Sequence, residues 1–304
     1  MNTASTHTPL RAAGLMLVST CCFGLMAIAI RYASASVATN QIAFFRNFFG
    51  LLALLPFLFV RGGPLPRTQH MHLYLVRTLI GLASMLCGFW AIGHLPLAQA
   101  ISLSYSTPLF VTVLAVLWLG EKVRMRRWLA VAAGFLGVLI ILRPGSASFS
   151  PGLLVALAAA MISALVAIQI KQLSRTDPPD TVVFYTYVLW VPMSLLTALP
   201  NWSWPQGGTW VWLVLTGVFG TGGQLFWTRA LKLGEVSALQ PISFMQLPLV
   251  AALGGWLFGE SLDRHTVAGA LIIVGANVYI AHREAVLARR AATHAPVEGA
   301  KPGE

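Results

Sequence analysis

Two arginines, Arg46 and Arg77, stand inside long apolar runs, in FFRNFFG (44–50) and RTLIG (77–81). A charge at bilayer depth costs about 2.5–3.5 kcal/mol on insertion scales, so such a residue needs a reason. One reason is a cavity group that attracts the carboxylate or other anionic part of a ligand. The other is snorkelling, in which the stem covers apolar surface and the head reaches the interface. Arg46, about six residues into its run, suits both readings equally. Arg77 is nearer an end, and snorkelling is its simpler account. The acids behave differently. All nine Asp and Glu fall at run ends, in loops or in the tail, so a mid-membrane proton relay has little support. Glu121 and Glu260 each follow a glycine, Gly120 and Gly259. Gly stops a helix and an acid suits the positive start of the next one, which makes the pair structural; the alternative is a gate or proton site.

A second group of residues is polar or aromatic but uncharged: Trp90, Tyr105, Gln169, Tyr185, Gln224, Trp227, Gln240 and Gln246. Amides avoid lipid and face protein or water, and aromatic faces stack on planar or cationic ligands. As a set these residues are expected to line a substrate cavity; singly, each is explained as well by helix packing or an interfacial belt. Pro108, Pro241 and Pro248 lie inside apolar runs, where proline frees the carbonyl four residues earlier, on Ser104, Ser237 and Phe244. They are candidate hinges. No catalytic constellation is present: HExxH and GxSxG are missing, the seven histidines are dispersed, and Cys21, Cys22 and Cys87 show no metal-ligand spacing. No metal, cofactor or ATP-binding loop is expected.

The elements that must position these residues are long helices. Of the 304 residues 57% are apolar and 10% charged, and the mean hydropathy is +0.75. A soluble domain carries about 25% charge, so a soluble enzyme is excluded. A bilayer crossing needs about 20 apolar residues. Ten runs qualify: 12–31, 40–60, 73–93, 98–119, 127–143, 151–171, 181–200, 209–230, 237–258 and 266–283. The first run is too long, and too closely followed by similar ones, for a cleaved signal peptide. With the N-terminus (1–11) cytoplasmic, 15 Lys and Arg fall inside and 3 outside, a strong positive-inside bias that puts both termini in the cytoplasm. That parity also explains the net charge of +11 without nucleic acid. Residues 284–304 are expected to be a disordered cytoplasmic tail.

The chain repeats itself. A gap-free shift of 139 aligns Gly81–Glu121 with Gly220–Glu260, including both Gly-Glu pairs, and a shift of 140 aligns AIAIR (27–31) with AIQIK (167–171). Each half (12–143 and 151–283) holds five spans, an odd number, so the second must lie inverted in the membrane. The segments SYSTPLFVTVLAVLWLGEKV (104–123) and SFMQLPLVAALGGWLFGESL (243–262) resemble the ends of the two EamA domains of the drug/metabolite transporter superfamily. The likeness spans about 11–284. Within that superfamily, FFRNFFG, RTLIG and FWAIGHLPLAQA (89–100) are similar to the S-adenosylmethionine and riboflavin transporter-like members. The resemblance implies an all-α membrane protein with ten helices around a central cavity, walled by the third and fourth spans of each half.

The expected function is therefore secondary transport of a small organic metabolite by alternating access; S-adenosylmethionine, riboflavin, an amino acid or a related compound is the substrate the resemblance implies. The alternative is a membrane enzyme acting on a lipid or isoprenoid. The expected location is a bacterial inner membrane. Gly255 and Gly259 permit close helix approach, but one chain already holds both repeats, so a functional monomer is expected.

Overall fold

The structure is a computed structural model that describes residues 8–60, 71–120, 123–146, 149–173, 179–234 and 236–293. Among these, every regular element is helical: α1 (Thr8–Ala33), α2 (Thr39–Val60), α3 (Met71–His94), α4 (Leu97–Ser104), α5 (Thr107–Leu119), α6 (Met125–Leu142), α7 (Pro151–Leu173), α8 (Pro179–Ala198), α9 (Thr209–Leu233), α10 (Val236–Ser243), α11 (Gln246–Phe258) and α12 (Arg264–Thr293). A short 3-10 turn, Leu199–Asn201, follows α8. Continuous apolar runs fold this way because a helix satisfies its own backbone where water is absent. Seven helical stretches of the described residues are long and apolar enough to cross a bilayer: α1, α3, α4 with α5, α6, α7, α10 with α11, and α12. α2, α8 and α9 occupy three further predicted runs but are not among the seven. In α9 the run is diluted by Thr, Gly and Gln and ends with Arg229 and Lys232.

Two corrections concern helix limits. The runs 98–119 and 237–258, read as single spans, are each broken in two, at Tyr105–Ser106 and at Phe244–Met245. The prolines sit just after the breaks, Pro108 and Pro248 in the first turns of α5 and α11, where a missing N–H costs nothing. Helix α12 continues to Thr293, past the expected start of the tail at 284, because AVLARRAA is rich in strong helix formers. Residues 294–304 and Glu121 lie outside the described residues.

The 139-residue register recurs in the backbone. α4, α5 and α6 begin at 97, 107 and 125; α10, α11 and α12 begin at 236, 246 and 264. Gly120 and Gly259 end α5 and α11 with the same left-handed geometry, φ 65° and ψ 22°. Packing follows the same exchange. α1 lies along α9 and its counterpart α7 along α3; α6 pairs with α12 and α2 with α8. Glycines allow the closest approaches. A Cβ on Gly217 would lie 2.5 Å from Phe49 Cβ, and one on Gly137 would lie 2.7 Å from the carbonyl oxygen of Gly269. The Ser19 hydroxyl fastens α1 to α9 by donating to the Gly223 carbonyl at 2.7 Å.

Candidate functional site

One end of the helix stack is closed by charge. Arg31, in the last turn of α1, donates to the Ile92 and Leu95 carbonyls at 3.1 and 3.0 Å, capping the end of α3. Its other terminal nitrogen pairs with Glu260 at 3.1 Å. The second Glu260 oxygen accepts the Leu97 amide at 2.7 Å, at the start of α4. Glu260 stands immediately after the left-handed cap of α11, and its own amide bonds back to the Gly254 carbonyl at 3.2 Å. One carboxylate thus binds α1, α4 and α11, with Arg31 adding α3. Three residues on, Asp263 pairs with Arg143, so the loop before α12 is tied to the end of α6 as well. Aromatic rings fill the space beside this cluster: Tyr32 stacks on Trp212 with centroids 4.3 Å apart and leans on Phe258 at 4.8 Å. α1, α3 and α11 end at this face; α4 and α9 begin at it, and α7 begins with Gly152 against Trp90 and Leu95.

Below it the two helix breaks meet. The Tyr105 hydroxyl donates to the Ser243 carbonyl at 3.1 Å, and its ring packs edge-on against Phe244 at 4.9 Å. The Tyr105 carbonyl accepts from Asn277 of α12 at 2.7 Å. The carbonyls assigned to proline are satisfied nearby: Ser104 accepts the Thr107 hydroxyl at 2.8 Å, and Phe244 accepts the Leu247 amide at 3.0 Å. The frayed backbone is thus paid for by side chains from α5 and α12 and from the break itself. Pro241 lies inside α10.

The two arginines are both deeply buried, Arg46 at 8% and Arg77 at 6% exposure. Arg46 donates to Asn47 Oδ1 at 3.0 Å and lies over the rings of Tyr187 and Trp190, 5.5 and 5.7 Å from their centroids. Asn47 is held in turn by the Ser194 hydroxyl at 3.3 Å. Cation–π contact in a dry site is worth about 2 kcal/mol, which offsets part of the insertion cost. Gly220 of α9 makes the room: a Cβ there would lie 3.0 Å from Arg46 Nε. Arg77 does not snorkel. Its head group hydrogen-bonds the Thr186 hydroxyl, and Thr186 is the repeat counterpart of Arg46. The Nε of each arginine has no hydrogen-bond partner.

The other predicted residues are dispersed along the molecule. Trp90 stacks on His94 at 4.4 Å and borders an open cavity of about 440 Å³ with Asn40, Cys87 and Asn201. Gln169 on α7 buries an Oε1 with no partner. Tyr185 packs on the fully buried Tyr74 at 5.2 Å. Gln224, Gln240 and Gln246 are half-buried on α9, α10 and α11, and Trp227 is exposed on α9. No hydrogen bond or ring contact among the described residues joins Arg46 to Tyr105 or to Trp90. Sequence reasoning missed Arg31 as a clamp and Asn277 as the cap of a broken helix. The AIAIR repeat had marked Arg31; nothing in the sequence marked Asn277. No group of three or more His, Cys, Asp or Glu comes together among the described residues.

Comparison with known proteins agrees with this architecture. The EamA-like transporter family matches residues 10–143 and again 150–281. A riboflavin transporter of Vibrio cholerae is 34% identical over 93% of this chain and 97% of its own. An S-adenosylmethionine uptake transporter of Rickettsia felis is 29% identical over 84% and 86%. A pseudopaline exporter of Pseudomonas aeruginosa is 32% identical over 86% and 92%. A solved crystal structure shares the fold at a TM-score of 0.63, with 21% identity over 92% of this chain and 98% of that one. With two full matches along its length and a relative alike from end to end, the chain is an integral membrane protein belonging to the EamA-like transporter family.

Proposed function

We propose that this protein moves a small organic metabolite across the bacterial cytoplasmic membrane by alternating access, as a monomer of ten spans with both termini in the cytoplasm. α4 with α5 and α10 with α11 each count as one span, and α2, α8 and α9 complete the ten. The inverted arrangement is supported by direction: α1 and α3 end at the Arg31 face, whereas their counterparts α7 and α9 begin there. The loop charges support the orientation, since they put Arg31 outside. In that frame the outer gate is shut by Arg31, Glu260 and the Tyr32 ring cluster.

The observation that carries the proposal is the hydrogen bond from Tyr105 to Ser243, which joins a break in one half to the matching break in the other. Broken helices in corresponding positions form the binding site of such transporters, and a direct link lets movement of one half report on the other. Pro108, Pro241 and Pro248 serve as hinges, and Glu260 as a gate. Arg46, with an unused Nε among aromatic rings, suits a ligand bearing an anionic group beside a planar ring. Riboflavin and S-adenosylmethionine head the candidate substrates because relatives bear those names, and named relatives run in both directions, uptake and export. The test is counterflow in proteoliposomes. Labelled riboflavin or S-adenosylmethionine should accumulate faster when the same unlabelled compound is inside. A panel of vitamins, nucleosides and amino acids that yields no counterflow above protein-free liposomes refutes the proposal.

A further inference from the structure

Two interfaces of the molecule are copies of one another. α3 packs on α8, and α9 packs in the same way on α2. Shifts of 140 residues from α2 to α8 and of 139 from α3 to α9 relate them position by position. On the first interface the Trp190 indole donates to the Thr78 carbonyl at 3.1 Å. The counterparts of these two residues are Gly50 and Gly217, and a Cβ on Gly50 would lie 3.7 Å from the Gly217 carbonyl oxygen. The same shifts carry Thr186 onto Arg46 and Arg77 onto Thr216. Each interface therefore holds one arginine and one threonine at matching positions, with the helices that supply them exchanged.

The first pair is bonded, Arg77 to the Thr186 hydroxyl. The second pair stands one turn apart. Arg46 bonds Asn47 and lies over the Tyr187 and Trp190 rings, with its Nε beside Gly220 and without a hydrogen-bond partner. Thr216 precedes Gly220 by four residues, so it lies on the same face of α9, about 6 Å nearer the Arg31 face. It is fully buried, and its hydroxyl donates to the Leu213 carbonyl at 2.6 Å. A hydroxyl that donates one bond keeps its lone pairs for accepting. Thr216 can therefore take the Arg46 head group without giving up the bond it already makes, and a change of side-chain rotamer covers a distance of one turn.

We infer that Thr216 is a positioning residue for Arg46: in the outward-open state its hydroxyl accepts the Arg46 head group, while Arg77 leaves Thr186. The inference rests on the alternating access proposed above, in which the second half takes up the arrangement of the first. Docked on Thr216, the guanidinium stands one turn nearer the outer face and meets the anionic group of an entering ligand; closure draws it inward over Tyr187 and Trp190. The test uses the full chain in proteoliposomes, with Ala27→Cys on α1 or its counterpart Ala167→Cys on α7 as reporter in a background without the native cysteines. Thr216→Val should slow outside labelling at 27 about tenfold, because the open state loses a hydrogen bond to a charged group. Thr186→Val should speed it by a similar factor and slow inside labelling at 167, a combination that local unfolding does not produce. Thr216→Ser keeps the hydroxyl and should label as the wild type does. In an Arg46→Ala background, Thr216→Val should have no further effect. Labelling unchanged by Thr216→Val, shifted in the same sense as by Thr186→Val, or shifted equally with and without Arg46 overturns the inference and leaves alternating access standing. Wild-type reporters that fail to respond to substrate in opposite senses refute alternating access itself, and the inference with it.

Discussion

Glu260→Gln keeps the side-chain shape at the closed face and removes its charge. In the wild type one oxygen pairs with Arg31 at 3.1 Å and the other accepts the Leu97 amide at 2.7 Å, with the two side chains 22% and 14% exposed. A hydrogen bond to a charged group is worth about 1.5–3 kcal/mol and a neutral one about 1, so each contact loses about 1 kcal/mol. Partial exposure of the pair keeps the loss below the upper end of that range. Together the loss is about 2 kcal/mol, which moves the equilibrium between closed and open outer states about thirtyfold toward open. The assay is thiol accessibility from the outside, with Cys21, Cys22 and Cys87 replaced by alanine and a reporter introduced as Ala27→Cys. Ala27 is one turn below Arg31 and fully buried in a cluster with Leu97 and Val250. The reporter should label slowly beside Glu260 and many-fold faster beside Glu260→Gln. Unchanged labelling would mean that the Arg31–Glu260 contact survives in every state and is an ordinary helix tie.

Other substitutions separate the roles assigned above. Arg46→Gln should fold but raise the apparent KM about tenfold or more, while Arg46→Lys recovers part of the affinity because it keeps the charge without the planar head; equilibrium binding of the transported compound decides it. Tyr105→Phe leaves the Ser243 carbonyl without its donor, at about 0.5–1.5 kcal/mol, and should slow turnover in counterflow with little change in KM. Thr186→Val strips a partner from the buried Arg77 and should cost about 1.5–3 kcal/mol in thermal or denaturant unfolding in detergent. Gly137→Leu forces α6 off α12 at their closest crossing and should lower the melting temperature, a loss of about 1–3 kcal/mol.

Much of this architecture is written in the local sequence. Apolar runs placed the helices, and the Gly-Glu pairs at 120–121 and 259–260 disclosed a repeat that the helix starts at 97 and 236 then reproduced. What sequence could not reveal depends on partners distant in the chain. Arg31 reads as one more basic residue beside a span until Glu260, 229 positions away, is brought against it. Arg77 reads as a snorkelling residue because its acceptor, Thr186, belongs to the other half. The breaks at Tyr105 and Phe244 are hidden for a different reason. Prolines 108 and 248 suggest kinks in continuous spans, but they start new helices, and the side chain that completes one break is Asn277 on α12. The amides and aromatic residues chosen for their chemistry share no local signal of which helix face points inward, so the pattern could not show that they are dispersed along the molecule and not gathered in one place.

The central claim is that the two halves exchange roles, and it is tested most directly by paired accessibility. Ala27 and Ala167 are repeat counterparts, on α1 and α7. With Ala27→Cys and Ala167→Cys in separate cysteine-free backgrounds, each is labelled by impermeant reagents from outside and from inside while substrate concentration is varied. Alternating access predicts reciprocity: any condition that raises outside labelling at 27 lowers inside labelling at 167, and the reverse. Labelling that rises or falls together at both positions would contradict it.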